Sequence, residues 1–180
     1  MTCIVGIVEN GKVYIGGDSA GVDVNDYSLT IRSDPKVFIK GEFIMGFTSS
    51  FRMGQLLRYK LMIPFHKPSI DTFEYMVTEF VEAVRDCLRD GGFKTIKNGE
   101  ETGGTFLVGY KGELFVIQDD FQVAKSTRNF SAIGCGEMIA KGSLYVSQNV
   151  TNTHERVLEA LKAAEEFSCG VRGPFLVLSN

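Results

Sequence analysis

Residues 3–17 constrain the fold of this chain more than any other stretch. Two strand-length apolar runs, at 3–8 and 12–17, flank Glu9-Asn10-Gly11. An Asn-Gly pair between such runs is the strongest short-range signal for a tight β-hairpin. A second pair follows at 36–40 and 43–47, turning at Gly41-Glu42, with the polar segment 19–35 crossing between the two pairs. Four strands therefore precede the first helix.

Helical spacing then takes over. Phe51, Leu56 and Leu57 outline a modest apolar face over 50–60. Asp71 with Glu74 is a capping pair, followed at helical intervals by Phe73, Met76, Val77, Phe80, Val84 and Leu88. The Gly-rich stretch 91–104 reads as a polar surface loop. Strands return at 105–110 and 113–118, around a Lys111-Gly112 turn, with shorter pieces at 122–124 and 131–134. A short helix is predicted from Gly136 to Tyr145. Asn152 with Glu155 opens another, carrying Val157, Leu161, Ala164 and Phe167, and a last strand covers 174–178. This order predicts an α+β fold: two antiparallel sheets, with helices on their outer faces. Periodicity does not say how the sheets stack.

Composition narrows the function classes. At 180 residues, with no repeat or linker, the chain reads as one domain, 1–180. A net charge of −3 gives no electrostatic reason to expect nucleic acid or an anionic membrane as partner. The apolar runs are too short to cross a bilayer and the N-terminus lacks a secretory signal, so the expected compartment is the cytoplasm. Cys3, Cys87, Cys135 and Cys169 form no C-x-x-C pair and are expected to be free and mostly buried thiols. His66 and His154 are the only histidines and are expected at the surface.

The chemistry concentrates at the start. Thr2 follows Met1, and methionine aminopeptidases act when the second residue is small. An N-terminal Thr supplies both a hydroxyl nucleophile and an α-amine that titrates near ~7.7–8.0, close enough to neutrality to act as base. Met1, if retained, ties that amine up in a peptide bond. The hairpin returns Gly16-Gly17-Asp18 beside residue 2, and Lys36 opens the following strand. A lysine there would lower the amine's pKa and stabilise charge on the threonine oxygen, while Asp18 would hold the lysine protonated. Gly46-Phe47-Thr48-Ser49-Ser50 joins a strand to a helix, where unpaired N–H groups can bind an oxyanion. Cys3 is a competing nucleophile, but strand alternation points it to the opposite face. Asp18 as a turn cap and Lys36 as a strand-edge charge are the plain structural alternatives.

Taken in order, Thr-x-Ile-Val-Gly-Ile, the Asn-Gly hairpin, Gly-Gly-Asp, Lys-Val, Gly-Phe-Thr-Ser-Ser and the later Ala132-Ile133-Gly134-Cys135-Gly136 resemble the proteasome β-subunit and HslV family of N-terminal-nucleophile hydrolases. No single motif is specific; the ordered set is. The resemblance implies a four-layer αββα sandwich and a threonine peptidase that needs no cofactor or metal. It implies Thr2 as nucleophile, Asp18 and Lys36 as its charged partners, the Ser49 amide as oxyanion donor, and Cys135 beside the threonine amine. Three features depart from the family pattern. Ser49-Ser50 stand where glycines are usual, and Cys135 stands where a serine is usual. The family's third acidic residue has only Ser168 as its nearest counterpart. The resemblance further implies peptide or unfolded-protein substrates, a homo-oligomeric stacked ring, and an ATP-dependent unfoldase that no residue here specifies. A non-catalytic ring-forming scaffold that keeps Met1 is the alternative.

Overall fold

The computed structural model describes residues 1–180 except Val24, Tyr27 and Asn98, which fall within the two polar segments. The strands are β1 (Cys3–Glu9), β2 (Lys12–Gly17), β3 (Ala20–Val22), β4 (Leu29–Ile31), β5 (Val37–Lys40), β6 (Phe43–Phe47), β7 (Thr95–Lys97), β8 (Glu100–Thr102), β9 (Phe106–Tyr110), β10 (Glu113–Ile117), β11 (Val123–Lys125), β12 (Phe130–Gly134) and β13 (Leu176–Ser179). The helices are α1 (Phe51–Tyr59), α2 (Thr72–Tyr75), α3 (Val81–Asp90), α4 (Glu137–Val146) and α5 (Thr153–Phe167), with a π-helical turn, Met76–Phe80, joining α2 to α3.

The first hairpin forms as its sequence predicts. Glu9 pairs with Lys12 across Asn10-Gly11, both at positive φ (51° and 75°), the twist that a two-residue turn requires. Gly41 (φ 59°) likewise turns β5 into β6, where Lys40 pairs with Phe43. Among the described residues the strands build two main antiparallel sheets, ordered β12-β1-β2-β13 and β11-β10-β9-β6-β5.

Three apolar clusters explain the layering. Ile4, Val13, Ile15, Ile44, Leu107 and Ile133 fill the space between the sheets. Cys3, Val5 and Ile7 point the other way, toward Val157, Leu161 and Ala164 of α5 and Leu144 of α4. Phe43, Met45, Phe106 and Phe115 pack against Leu57, Tyr75, Phe80 and Val84 beneath the remaining helices. The result is an αββα sandwich. Because β1 is covered on both faces, it reads as an unbroken apolar run rather than an alternating one. Each fully buried aliphatic side chain here contributes ~1.5–3 kcal/mol.

The structure corrects several local expectations. The segments 19–35 and 91–104 are not plain loops; they carry the hairpins β3–β4 and β7–β8, whose strands are three residues long and too short to show periodicity. The π turn, in which the Val81 N–H reaches the Met76 carbonyl, shifts the helical phase. Tyr75, Met76, Phe80 and Val84 are buried, while Phe73 and Val77 are left exposed. Phe167 at the end of α5 is also exposed. His66 is half-buried, its ring 4.3 Å from that of Tyr75 and Nδ1 3.0 Å from the Tyr110 hydroxyl. Only Cys3 is fully buried; Cys87 is half-buried, and Cys135 and Cys169 are exposed.

Candidate active site

Strand register assembles the site. Ile4 pairs with Gly17 on one side and Cys3 with Gly134 on the other, so Thr2 emerges between Asp18 and Cys135. Lys36 precedes β5 in the second sheet, and the stacking of the two sheets delivers it to the same point. Thr2, Asp18 and Lys36 are all buried despite their polarity. A buried polar group requires partners, and these three supply them to one another.

Lys36 Nζ donates to Thr2 Oγ1 at 2.8 Å and to Asp18 Oδ1 at 2.9 Å. Asp18 also accepts from the Cys3 N–H at 3.0 Å and, through Oδ2, from the Ala20 N–H at 2.9 Å. Three donors thus fix the carboxylate and, through it, the ammonium. Burial pushes the Lys36 ammonium below the ordinary lysine range, and the Asp18 charge opposes that shift. Burial likewise pushes the Cys3 thiol up from 9.0 to about 12, with Asp18 adding to the effect. Cys3 faces the α4–α5 side, away from Thr2 Oγ1, and its thiolate is strongly disfavoured.

The threonine nitrogen is held from the opposite side. Its N–H donates to Cys135 Sγ at 3.3 Å, and Cys135 Sγ also receives the Ser168 hydroxyl at 3.4 Å. Gly134 makes this approach possible: at φ 97°, a Cβ there would lie 2.2 Å from the Thr2 carbonyl oxygen. Gly170 closes the same corner, where a Cβ would meet Met1 Cβ at 2.3 Å and Cys135 Sγ at 2.9 Å. The Thr2 hydroxyl donates to the Met1 carbonyl at 2.5 Å.

Ser49 adopts φ 67°, and the Ser50 N–H bonds the Thr48 carbonyl at 2.8 Å, making a tight three-residue turn. A non-glycine residue in this region costs ~1–3 kcal/mol. Ser49 Oγ offsets part of that by accepting from the Thr105 N–H at 3.1 Å. The Ser49 N–H has no acceptor among the described residues. Ser49 and Thr2 line one cavity of about 70 Å³, together with Met1, Lys36, Val22, Phe47 and Phe51.

The structure therefore brings Thr2, Asp18, Lys36, Ser49 and Cys135 to one place. Sequence reasoning named Gly134 only within the Ala132–Gly136 motif and Phe51 only on the apolar face of 50–60, and it did not assign Gly170 or Val22 any part. A larger cavity, about 550 Å³, lies between α1 and α3. Its Cys87 thiol is pushed up by burial and donates to the Leu56 carbonyl, so it offers no activated nucleophile.

No protein-family model and no curated protein sequence matches this chain. Solved structures do resemble it. A protein termed BPH from Thiobacillus denitrificans, in complex with epoxomicin, superposes with a TM-score of 0.74 at 16% identity, covering 99% of this chain and 97% of that one. HslV from Trypanosoma brucei gives 0.67 at 18% identity, covering 98% of each chain. Anbu, an ancestral β-subunit from Yersinia bercovieri, gives 0.65 at 15% identity, covering 99% and 81%. At such identities the likeness shows the fold, a proteasome-like N-terminal-nucleophile hydrolase sandwich.

Proposed function

We propose that this chain is a threonine-type peptidase of a self-compartmentalising ring, with Thr2 as nucleophile once Met1 is removed. The observation that carries this reading is the buried Lys36 ammonium, bridging the Thr2 hydroxyl at 2.8 Å and the Asp18 carboxylate at 2.9 Å. A hydroxyl without a catalytic role has no need of a desolvated ion pair, which costs several kcal/mol per ion to bury.

In this mechanism Thr2 Oγ1 attacks the scissile carbonyl carbon, and its proton passes to the freed Thr2 α-amine, directly or through a water. Lys36 stabilises the developing charge on the threonine oxygen, and Asp18 holds Lys36 in place. The Ser49 N–H donates to the tetrahedral oxyanion. The carbon–nitrogen bond breaks as the leaving amine takes the proton. Water then hydrolyses the threonine ester, the α-amine again serving as base. Cys135 keeps the α-nitrogen oriented through its sulfur. No cofactor takes part.

The substrates are peptides or unfolded proteins, admitted to a homo-oligomeric stacked ring in the cytoplasm, with an ATP-dependent unfoldase as partner. The fold of the neighbours supports the ring, and no helix among the described residues is long and apolar enough to cross a membrane.

The test is an intact mass of protein expressed with methionine aminopeptidase active, paired with hydrolysis of fluorogenic peptides by wild type and Thr2→Ala. The expected result is a chain starting at Thr2, turnover by wild type and none by the variant. Epoxomicin, bound to the Thiobacillus denitrificans neighbour, is a second probe, expected to add mass to wild type and not to Thr2→Ala. Retained Met1 without turnover would leave only the scaffold reading.

A further inference from the structure

The cavity in which Thr2 and Ser49 meet is small. With Met1 as part of its lining, its 70 Å³ is about two waters' share of liquid volume, and roughly half of the ~150 Å³ that holds a benzene ring. Its outer wall is Phe51, the first residue of α1, with Val22 and Phe47 beside it.

The wall is fixed from several directions. The Phe51 ring stands edge-on to Phe47, with centroids 5.9 Å apart, and its centroid lies 5.6 Å from Lys36 Nζ. The Arg32 guanidinium caps it at 3.8 Å and is itself clamped by Asp34 through bonds of 2.8 and 2.6 Å. Swinging the ring outward would break the stacked cation and the contact with Phe47 together. Met1 lines the same cavity from the side where it lies against Gly170, so its removal opens that side and leaves the wall of Phe51, Phe47 and Val22 in place.

A carbonyl held between Thr2 Oγ1 and the Ser49 N–H carries its α-substituent into this space. From this we infer that Phe51 is a specificity-determining residue, restricting cleavage to peptide bonds that follow a small residue such as Gly, Ala or Ser. The inference rests on the peptidase reading above and adds to it a substrate class.

The experiment compares Met1-free wild type, Phe51→Ala and Phe51→Leu, with Thr2→Ala as blank. The substrates are fluorogenic N-acyl tripeptides differing only in the last residue: Ala, Val, Leu, Phe or Arg. Wild type is expected to favour Ala over Leu and Phe by about tenfold or more in kcat/KM. Phe51→Ala is expected to lose that preference and gain turnover on Leu and Phe. Phe51→Leu keeps an apolar side chain against Phe47 and should relax the preference part-way, with melting curves confirming that both variants fold. Wild type cleaving Leu or Phe peptides as fast as Ala overturns the inference and leaves the peptidase reading standing. So does an unchanged ranking in both folded variants. Absence of turnover on every peptide by every folded, Met1-free protein overturns the peptidase reading, and the inference falls with it.

Discussion

Lys36 and Asp18 form an ion pair whose side chains are 1% and 0% exposed, and this alters what a substitution at either position does. Lys36→Ala leaves the Asp18 carboxylate buried without its counter-charge, a change that costs ~3–5 kcal/mol. It should abolish peptide turnover and also lower the melting temperature. Asp18→Asn is the better probe, although its amide sets an N–H₂ against a site built from donors. With the carboxylate gone, desolvation of Lys36 is no longer opposed. The alkaline limb of the pH–rate profile, set by the ammonium of Lys36 that burial depresses, should then move to lower pH. A role in folding alone would leave that limb where it was. Cys3 tests linkage with the opposite sign. A thiol raised from 9.0 to about 12 keeps its proton in the folded state while the unfolded chain loses it. Its contribution is complete below about 9 and lost as pH rises toward about 12. Urea melts of wild type and Cys3→Ala across that window should show a shallower alkaline loss in the variant.

At the scale of elements, two features place the helices that cover the second sheet. Asp71 caps α2, accepting from the Phe73 N–H at 2.9 Å and the Glu74 N–H at 3.1 Å. Asp71→Ala should cost about 1 kcal/mol, read as a lower urea midpoint with an unchanged slope. The π turn was invisible to helical periodicity, because its single extra residue alters which side chains face inward without changing composition. The cap was legible because Asp71 and Glu74 act within one turn. The hairpins β3–β4 and β7–β8 were not, since strands this short hold too few side chains to alternate.

For the whole molecule, the distance between the sheets decides whether Lys36 reaches Thr2. Gly46 controls that distance near the site: a Cβ there would lie 2.5 Å from Ile4 Cγ2 and 2.9 Å from Ile15 Cγ2. Gly46→Ala overpacks the interface and should cost ~1–3 kcal/mol. If the sheets separate, turnover should fall further than stability, through loss of the Lys36–Thr2 contact. Assembly belongs to this scale too. On the ring reading, sedimentation at micromolar concentration should show an oligomer many times the 19.9 kDa of one chain. A stable monomer would count against it.

The sequence by itself determined the elements that short-range physics controls. Asn10-Gly11 turns the first hairpin, Asn152 and Asp71 start helices, and the strand order yields two antiparallel sheets. Backbone conformation and capping act over a few residues, so they leave local marks. The hairpin even placed Asp18 beside residue 2, because register carries a local turn to the far end of its strands. Lys36 and Cys135 could be assigned beforehand only through ordered resemblance to a family. Their partner Thr2 lies 34 and 133 residues away in the chain, in contacts that form only once the sheets stack and β12 pairs with β1. Tertiary structure alone decided the remainder: the depressed lysine, the Ser49 N–H without an acceptor among the described residues, the approach that Gly134 permits, and the Phe51 wall. Each depends on burial or close contact between distant segments, and neither leaves a periodic trace in sequence.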